Sequence, residues 1–125
     1  GGVIEFWPDI QQGLSQLLTM VRREGVDGVL ATSDYLAAKI IKHLYKNGVD
    51  VPGDVAVIGY DNLEFAECLI PSLTSVSQET DAVAEATVDL LFRKINDDYR
   101  DRTHLRVEQK LIVRESCGCE PLMKN

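Results

Sequence analysis

Apolar and polar positions along this chain keep switching between two periods, and each switch marks an element. Val3-Ile4-Glu5-Phe6-Trp7 is short, apolar and rich in strand formers, and Pro8-Asp9 ends it. Ile10, Leu14, Leu17, Leu18 and Val21 then recur at the spacing of one helix face. Arg22 and Arg23 fall in that helix's last turn, and Gly25 lies just beyond, where a left-handed cap is expected. Gly28-Val29-Leu30-Ala31-Thr32 is a strand apolar on both faces. Ser33 or Asp34 is placed to cap the next helix, whose Leu36, Ile40, Ile41 and Leu44 share one face and which stops near Asn47-Gly48.

A loop, Val51-Pro52-Gly53-Asp54, leads into Val55-Ala56-Val57-Ile58-Gly59, a second strand apolar on both faces, as in parallel sheets covered by helices. A short helix over 63–69, a strand over 73–78 and a helix over 81–95, carrying Val83, Thr87, Leu90 and Leu91, follow. Last, Leu105, Val107, Leu111 and Val113 alternate with Arg106, Glu108, Lys110 and Arg114, the pattern of a half-exposed edge strand. Strands alternating with helices in this order predict an α/β fold: a mostly parallel sheet with helices on both faces. In such sheets ligands bind beyond the carboxyl ends of the strands. Thr32-Ser33-Asp34, Tyr60-Asp61-Asn62 and Ser77-Gln78-Glu79 lie at those ends, and Trp7 closes the first strand.

Composition narrows the chemistry. With 125 residues, 45% apolar and 26% charged, the chain holds one globular domain's worth of sequence. No apolar stretch approaches the roughly 20 residues of a membrane span, so no membrane partner is expected. A net charge of −7 is repelled by phosphate backbones, which argues against nucleic acid binding by this chain alone. Cys68, Cys117 and Cys119 cannot all pair within one chain, which points to a reducing, cytoplasmic setting. Neither nucleotide cradle, G-x-G-x-x-G or G-x-x-x-x-G-K-[ST], is present, and Ser33 stands outside any G-x-S-x-G elbow. His43 in mid-helix and His104 in a charged loop read as solvent histidines. Cys117 and Cys119 are too few for a metal site and read as an incidental or redox-sensitive thiol pair. No catalytic residue, metal or cofactor is expected. A phosphate receiver domain shares the layout, but it needs a lysine where this chain has Ser77-Gln78-Glu79. Asp61 follows a buried strand with no long helix after it, so its carboxylate is suited to accept hydrogen bonds from neutral hydroxyls or ring N–H groups. Asp34 is equally readable as a helix cap, and Trp7 as either core or stacking platform.

Residues 47–62, Asn-Gly-Val-Asp-Val-Pro-Gly-Asp-Val-Ala-Val-Ile-Gly-Tyr-Asp-Asn, closely resemble the lactose/galactose-repressor (LacI/GalR) family, whose members read G-x-x-V-P-x-D-V-x-V-[VI]-G-[FY]-D-[DN]. Ala31-Thr32-Ser33-Asp34 before a helix, Pro71-Ser72-Leu73-Thr74-Ser75-Val76 followed by Gln78, and Leu111-Ile112-Val113-Arg114-Glu115-Ser116 agree in order and spacing. The resemblance implies a sensor module in which two α/β lobes close over a small ligand, usually a sugar or nucleobase. It implies that Asp61 hydrogen-bonds the ligand, with Ser33 and Asp34 beside it, Gln78 at the crossover between lobes and Trp7 as the stacking aromatic.

By the same resemblance the chain begins inside the second lobe, an incomplete periplasmic-binding-protein-like type I lobe. Residues 1–80 are expected to form part of the carboxyl-terminal lobe. Residues 81–104 would be a crossover helix and loop that pack on the other lobe, 105–119 the final strand, and 120–125 a tail. Val83, Val88 and Leu91 would then face water, and a homodimer or domain-swapped oligomer is expected to cover them. The implied function is effector sensing and dimerisation in a LacI/GalR-type regulator. The effector, expected to be a sugar, binds only weakly to the isolated chain, and DNA is reached only through a headpiece outside it. The alternative is a piece of a periplasmic sugar-binding protein or another signalling sensor; the tail Arg114-Glu115-Ser116-Cys117-Gly118-Cys119 runs slightly past the usual repressor ending.

Overall fold

The computed structural model describes residues 2–6, 9–96 and 105–119. Helix α1 (Ile10–Glu24) starts where the Asp9 carboxylate accepts the N–H groups of Gln11 and Gln12, at 2.9 and 3.3 Å. It ends at Gly25, whose φ of 69° lets the chain leave left-handed with the Gly25 N–H on the Met20 carbonyl. Strand β1 (Gly28–Leu30) and helix α2 (Asp34–Lys46) follow, and Ser33 rather than Asp34 caps α2, accepting the Leu36 N–H at 3.2 Å. Strand β2 (Ala56–Asp61), a 3-10 turn (Glu64–Cys68), strand β3 (Thr74–Ser77), helix α3 (Thr80–Ile95), strand β4 (Lys110–Ile112) and a 3-10 turn (Glu115–Cys117) complete the order.

Among the described residues the sheet runs β1-β2-β3-β4, with the first three parallel and β4 antiparallel to β3. Asp61 pairs with Ser77, and Ser77 with Lys110, so three strand ends meet at one rim. The core lies between α1, α2 and the sheet: Leu14 and Leu17 from α1, Ala37, Ile40, Ile41 and Leu44 from α2, Val55 and Val57 from the β2 segment, and Leu73 before β3. Ser116 pins the far end: its hydroxyl donates to the Val57 carbonyl at 2.6 Å and accepts the Thr74 N–H at 2.9 Å. Among the described residues four polar ones, Asp34, Thr74, Ser75 and Ser116, are fully buried. Among the described residues no buried side-chain nitrogen or oxygen lacks a partner, which keeps that burial affordable.

Two expectations change. The strand expected over 3–7 does not form over its described part, residues 3–6. Phe6 instead lies against Gly13 of α1, where a β-carbon would come within 2.6 Å of its ring, and a cavity of about 640 Å³ lies between residues 2–6 and β1. With β1 only three residues long, little backbone is offered for pairing on that side. The strand expected over 105–113 shrinks to Lys110–Ile112. The cause is β3, which ends at Ser77, the partner of Lys110; Glu79 then turns away at φ 50° into α3. Among the described residues, 105–109 have no strand to lie against. Helix α3 forms as expected but buries none of its 16 residues. Among the described residues no helix is long and apolar enough to cross a membrane.

Candidate functional site

The rim is built around a strained turn. Asp61 and Asn62 both have positive φ, 110° and 52°, at the carboxyl end of β2. Non-glycine residues hold such angles only where the surroundings over-determine them, at about 1–3 kcal/mol each. Here four contacts do so. The Asn62 N–H donates to Ser75 Oγ at 3.0 Å, and the next N–H, of Leu63, donates to Asp34 Oδ2 at 2.7 Å. Arg114 Nη2 donates to Asn62 Oδ1 at 2.9 Å while its Nη1 holds the Leu73 carbonyl at 2.7 Å. Gln78 Nε2 donates to Asp61 Oδ1.

Asp34 lies beneath this turn. It is fully buried at the amino end of α2, where the helix dipole favours a carboxylate, and Ser75 Oγ donates to its Oδ1 at 2.6 Å. Gly59 of β2 makes room for it: a β-carbon at that position would overlap Asp34 Oδ1. Asp34 therefore acts on the rim through Leu63 and Ser75, not through a surface of its own.

The structure brings Asp61 and Gln78 into direct contact, an acceptor and a donor side by side, Asp61 half-buried and Gln78 exposed. Ser33, half-buried, spends its hydroxyl oxygen on capping α2. Trp7 lies outside the described residues, as does His104. Around this pair, Tyr60 accepts a hydrogen bond from Gln109 at 2.6 Å, and Lys110 pairs with Glu79 at 2.6 Å. That ammonium, then the Ser77 hydroxyl, hold the Glu79 carboxyl below its usual value. None of Ser33, Asp34, Asp61 and Gln78 lines the 640 Å³ cavity or a second one of about 850 Å³.

Sequence reasoning passed over Ser75, Asn62 and Arg114 as site residues. The one local signal was Asn62 itself, since asparagine tolerates the left-handed region. Ser75 and Arg114 lie within the family-like pieces 71–76 and 111–116, but nothing in the sequence marks their long-range pairing with Asp34 and Asn62. Among the described residues no group of three or more His, Cys, Asp or Glu side chains could hold a metal ion.

Residues 6–117 match the family model of the periplasmic binding protein-like domain. The chain belongs to that family. This periplasmic binding protein-like domain is 34% identical over 96 residues to the HTH-type transcriptional regulator MalR of Clostridium butyricum, covering 77% of this chain and 28% of MalR. Two solved structures are similar. One is the transcriptional regulator CelR–cellobiose complex, at TM-score 0.75 and 35% identity over 84% of this chain and 32% of that one. The other is a LacI family transcriptional regulator from Arthrobacter sp. FB24 in complex with lactose, at TM-score 0.73 and 28% identity over 86% of this chain and 40% of that one. The LacI-type kinship expected from the four motifs is thus shown, and these relatives are regulators, not enzymes. The domain spans only about 28% of MalR's length.

Proposed function

We propose that this chain is the effector-sensing and dimerising part of a LacI/GalR-type transcriptional regulator, and that its effector is a sugar. The observation that carries the reading is the Asp61–Gln78 pair on the strained rim. An acceptor beside a donor matches a sugar hydroxyl, which donates to the carboxylate and accepts from the amide. The sugars named in the two similar complexes, cellobiose and lactose, favour the same class. Ser33 supports Asp61 at the neighbouring strand end, Trp7 is the stacking group, and Asp34 acts from below by fixing the turn. Residues 1–80 and 105–119 form the lobe, and 81–104 cross to the other lobe.

The mechanism is binding without catalysis, in the cytoplasm. Effector held between two lobes favours the closed state, and that differential affinity shifts the regulator between DNA-competent and DNA-incompetent forms. DNA is contacted by a helix-turn-helix unit of the kind named for MalR, not by these residues, whose net charge is −7. When the 125-residue chain is by itself, a second copy covers the exposed apolar side of α3, the side that packs on the other lobe in the regulator. The runner-up, a sugar-binding receptor, rests on the family's own description.

The test is a thermal-shift screen of mono- and disaccharides on the regulator that carries this chain, repeated with Asp61→Ala. The substitution is expected to weaken the confirmed sugar by about tenfold to a hundredfold, the worth of hydrogen bonds to a charged group. An unchanged shift removes Asp61 from the site. Calorimetry on the 125-residue chain is expected to find no submicromolar sugar binding.

A further inference from the structure

Cys117 and Cys119 take no part in the rim, yet they are held together. The 3-10 turn Glu115–Cys117 ends at Gly118 with φ 69°, and the chain doubles back so that the Cys119 N–H donates to Cys117 Sγ at 3.4 Å. The Cys119 thiol in turn lies 3.8 Å from the Cys117 carbonyl. Gly118 is needed for this turn on two counts, its left-handed angle and the approach of Pro52, whose Cβ would stand 3.3 Å from a side chain there. The turn is anchored from behind by Ser116 and its buried bonds to Val57 and Thr74. Cys117 is half-buried and Cys119 exposed, and both are free thiols.

We infer that Cys117 and Cys119 form a dithiol site that exchanges with low-molecular-weight disulfides to give a reversible Cys117–Cys119 disulfide. The reach is adequate. A disulfide needs its α-carbons about 4.4–6.8 Å apart, and two residues of extended chain span about 7 Å before a turn at the middle one shortens it. The two sulfurs are chemically unequal. Burial opposes ionisation of Cys117, but hydrogen bonds from the Thr74 hydroxyl, the Cys119 N–H and the Cys119 thiol outweigh it and hold its thiol below the usual range. The Cys119 thiol, facing that sulfur, is pushed up. Cys117 is thus the attacking sulfur and Cys119 the resolving one.

The steps balance. The Cys117 thiolate attacks one sulfur of the small disulfide, the S–S bond breaks, and one small thiolate leaves and takes the proton that Cys117 gave up. Cys119 loses its proton and attacks Cys117 of the mixed disulfide, releasing the second small thiol. Two protein thiols are oxidised and one small disulfide is reduced to two thiols. A ring closed across a single residue constrains little of the unfolded chain, so the bond adds little stability and stays exchangeable.

The experiment incubates the 125-residue chain with glutathione disulfide, quenches with an alkylating agent and maps the cysteines by mass spectrometry. The wild-type chain is expected to end with Cys117 linked to Cys119 and Cys68, exposed on its own turn, left as free thiol or slow adduct. Cys119→Ser is expected to stall as a glutathione adduct on Cys117, formed at least tenfold faster than any adduct on Cys68. Dithiothreitol is expected to restore the wild-type thiols fully. Stable glutathione adducts on the wild type, a disulfide to Cys68, or adduct formation equally fast on Cys68 and Cys117 overturns the inference.

Discussion

Helix α2 buries Ala37, Ile40, Ile41 and Leu44 within 13 residues, whereas α3 buries nothing in 16. Both carry an apolar stripe: Val88, Leu91, Phe92 and Ile95 of α3 follow the same helical spacing that brings Ile40, Ile41 and Leu44 together in α2. The difference lies at the edges. Ser33 caps α2 with a hydrogen bond, and the helix lies on β2. Glu79 begins α3 with no side-chain cap bond, and Leu91 and Phe92 stay 55% and 60% exposed. An apolar stripe reports that a helix has something to cover; it does not report that the covering surface lies in the same stretch of chain.

The comparison breaks most readily at the two stripes. Ile40→Ala is expected to cost about 2–5 kcal/mol of stability, read as a shift in urea midpoint. Leu91→Ala is expected to stay within about 0.5 kcal/mol, because it removes no buried contact within the chain. Equal losses would mean that α3 is packed after all. Leu91→Ala is instead expected to weaken self-association in sedimentation velocity, where a stable monomer at micromolar concentration would remove the proposed dimer.

Asp34→Ala comes next. It leaves the Leu63 N–H and the Ser75 hydroxyl without their acceptor, which costs about 1–3 kcal/mol for a buried group. The loss is expected to exceed that of Ser33→Ala, whose cap is worth about 1 kcal/mol. The reverse order would make the cap, not the buried carboxylate, the anchor of α2.

The smallest effect is one of pH. Glu79 is held low by Lys110 first and Ser77 second, and Glu115 by the Ser72 N–H and hydroxyl. Both carboxyls titrate lower in the folded chain than their ordinary 4.5, so their contribution is complete above that value and is lost as pH falls through the folded values. Glu79→Gln with Glu115→Gln is expected to flatten the acid side of a Tm–pH curve slightly and to leave pH 7 upward nearly parallel. Salt is expected to shrink the Glu79 part, since both partners of its ion pair meet solvent.

The ends of α1 and α2, the parallel strands and the place of the rim were legible because they rest on local chemistry: Gly25 needs a left-handed exit, Ser33 or Asp34 is placed to cap, and Val55 to Gly59 is apolar on both faces. Asp61 stands at the rim because it follows a buried strand, and the G-[FY]-D pattern singles it out as a candidate. What stayed hidden depends on partners far away in sequence. Ser75 reaches Asp34 across 41 positions and Arg114 reaches Asn62 across 52, and no periodicity marks such pairs. The 105–109 part of the strand expected over 105–113 failed for the same reason, since alternation describes a strand's faces and is silent on the length of its neighbour.

Gly59 and Asp34 share one volume: what would be a side chain in β2 is the carboxylate of α2. The two positions are therefore coupled. A β-carbon at 59 would displace the Asp34 carboxyl group, and with it the acceptor of the Leu63 N–H that holds the Asp61–Asn62 turn. The bare backbone in the middle of this strand is what leaves that side chain its place beneath the rim.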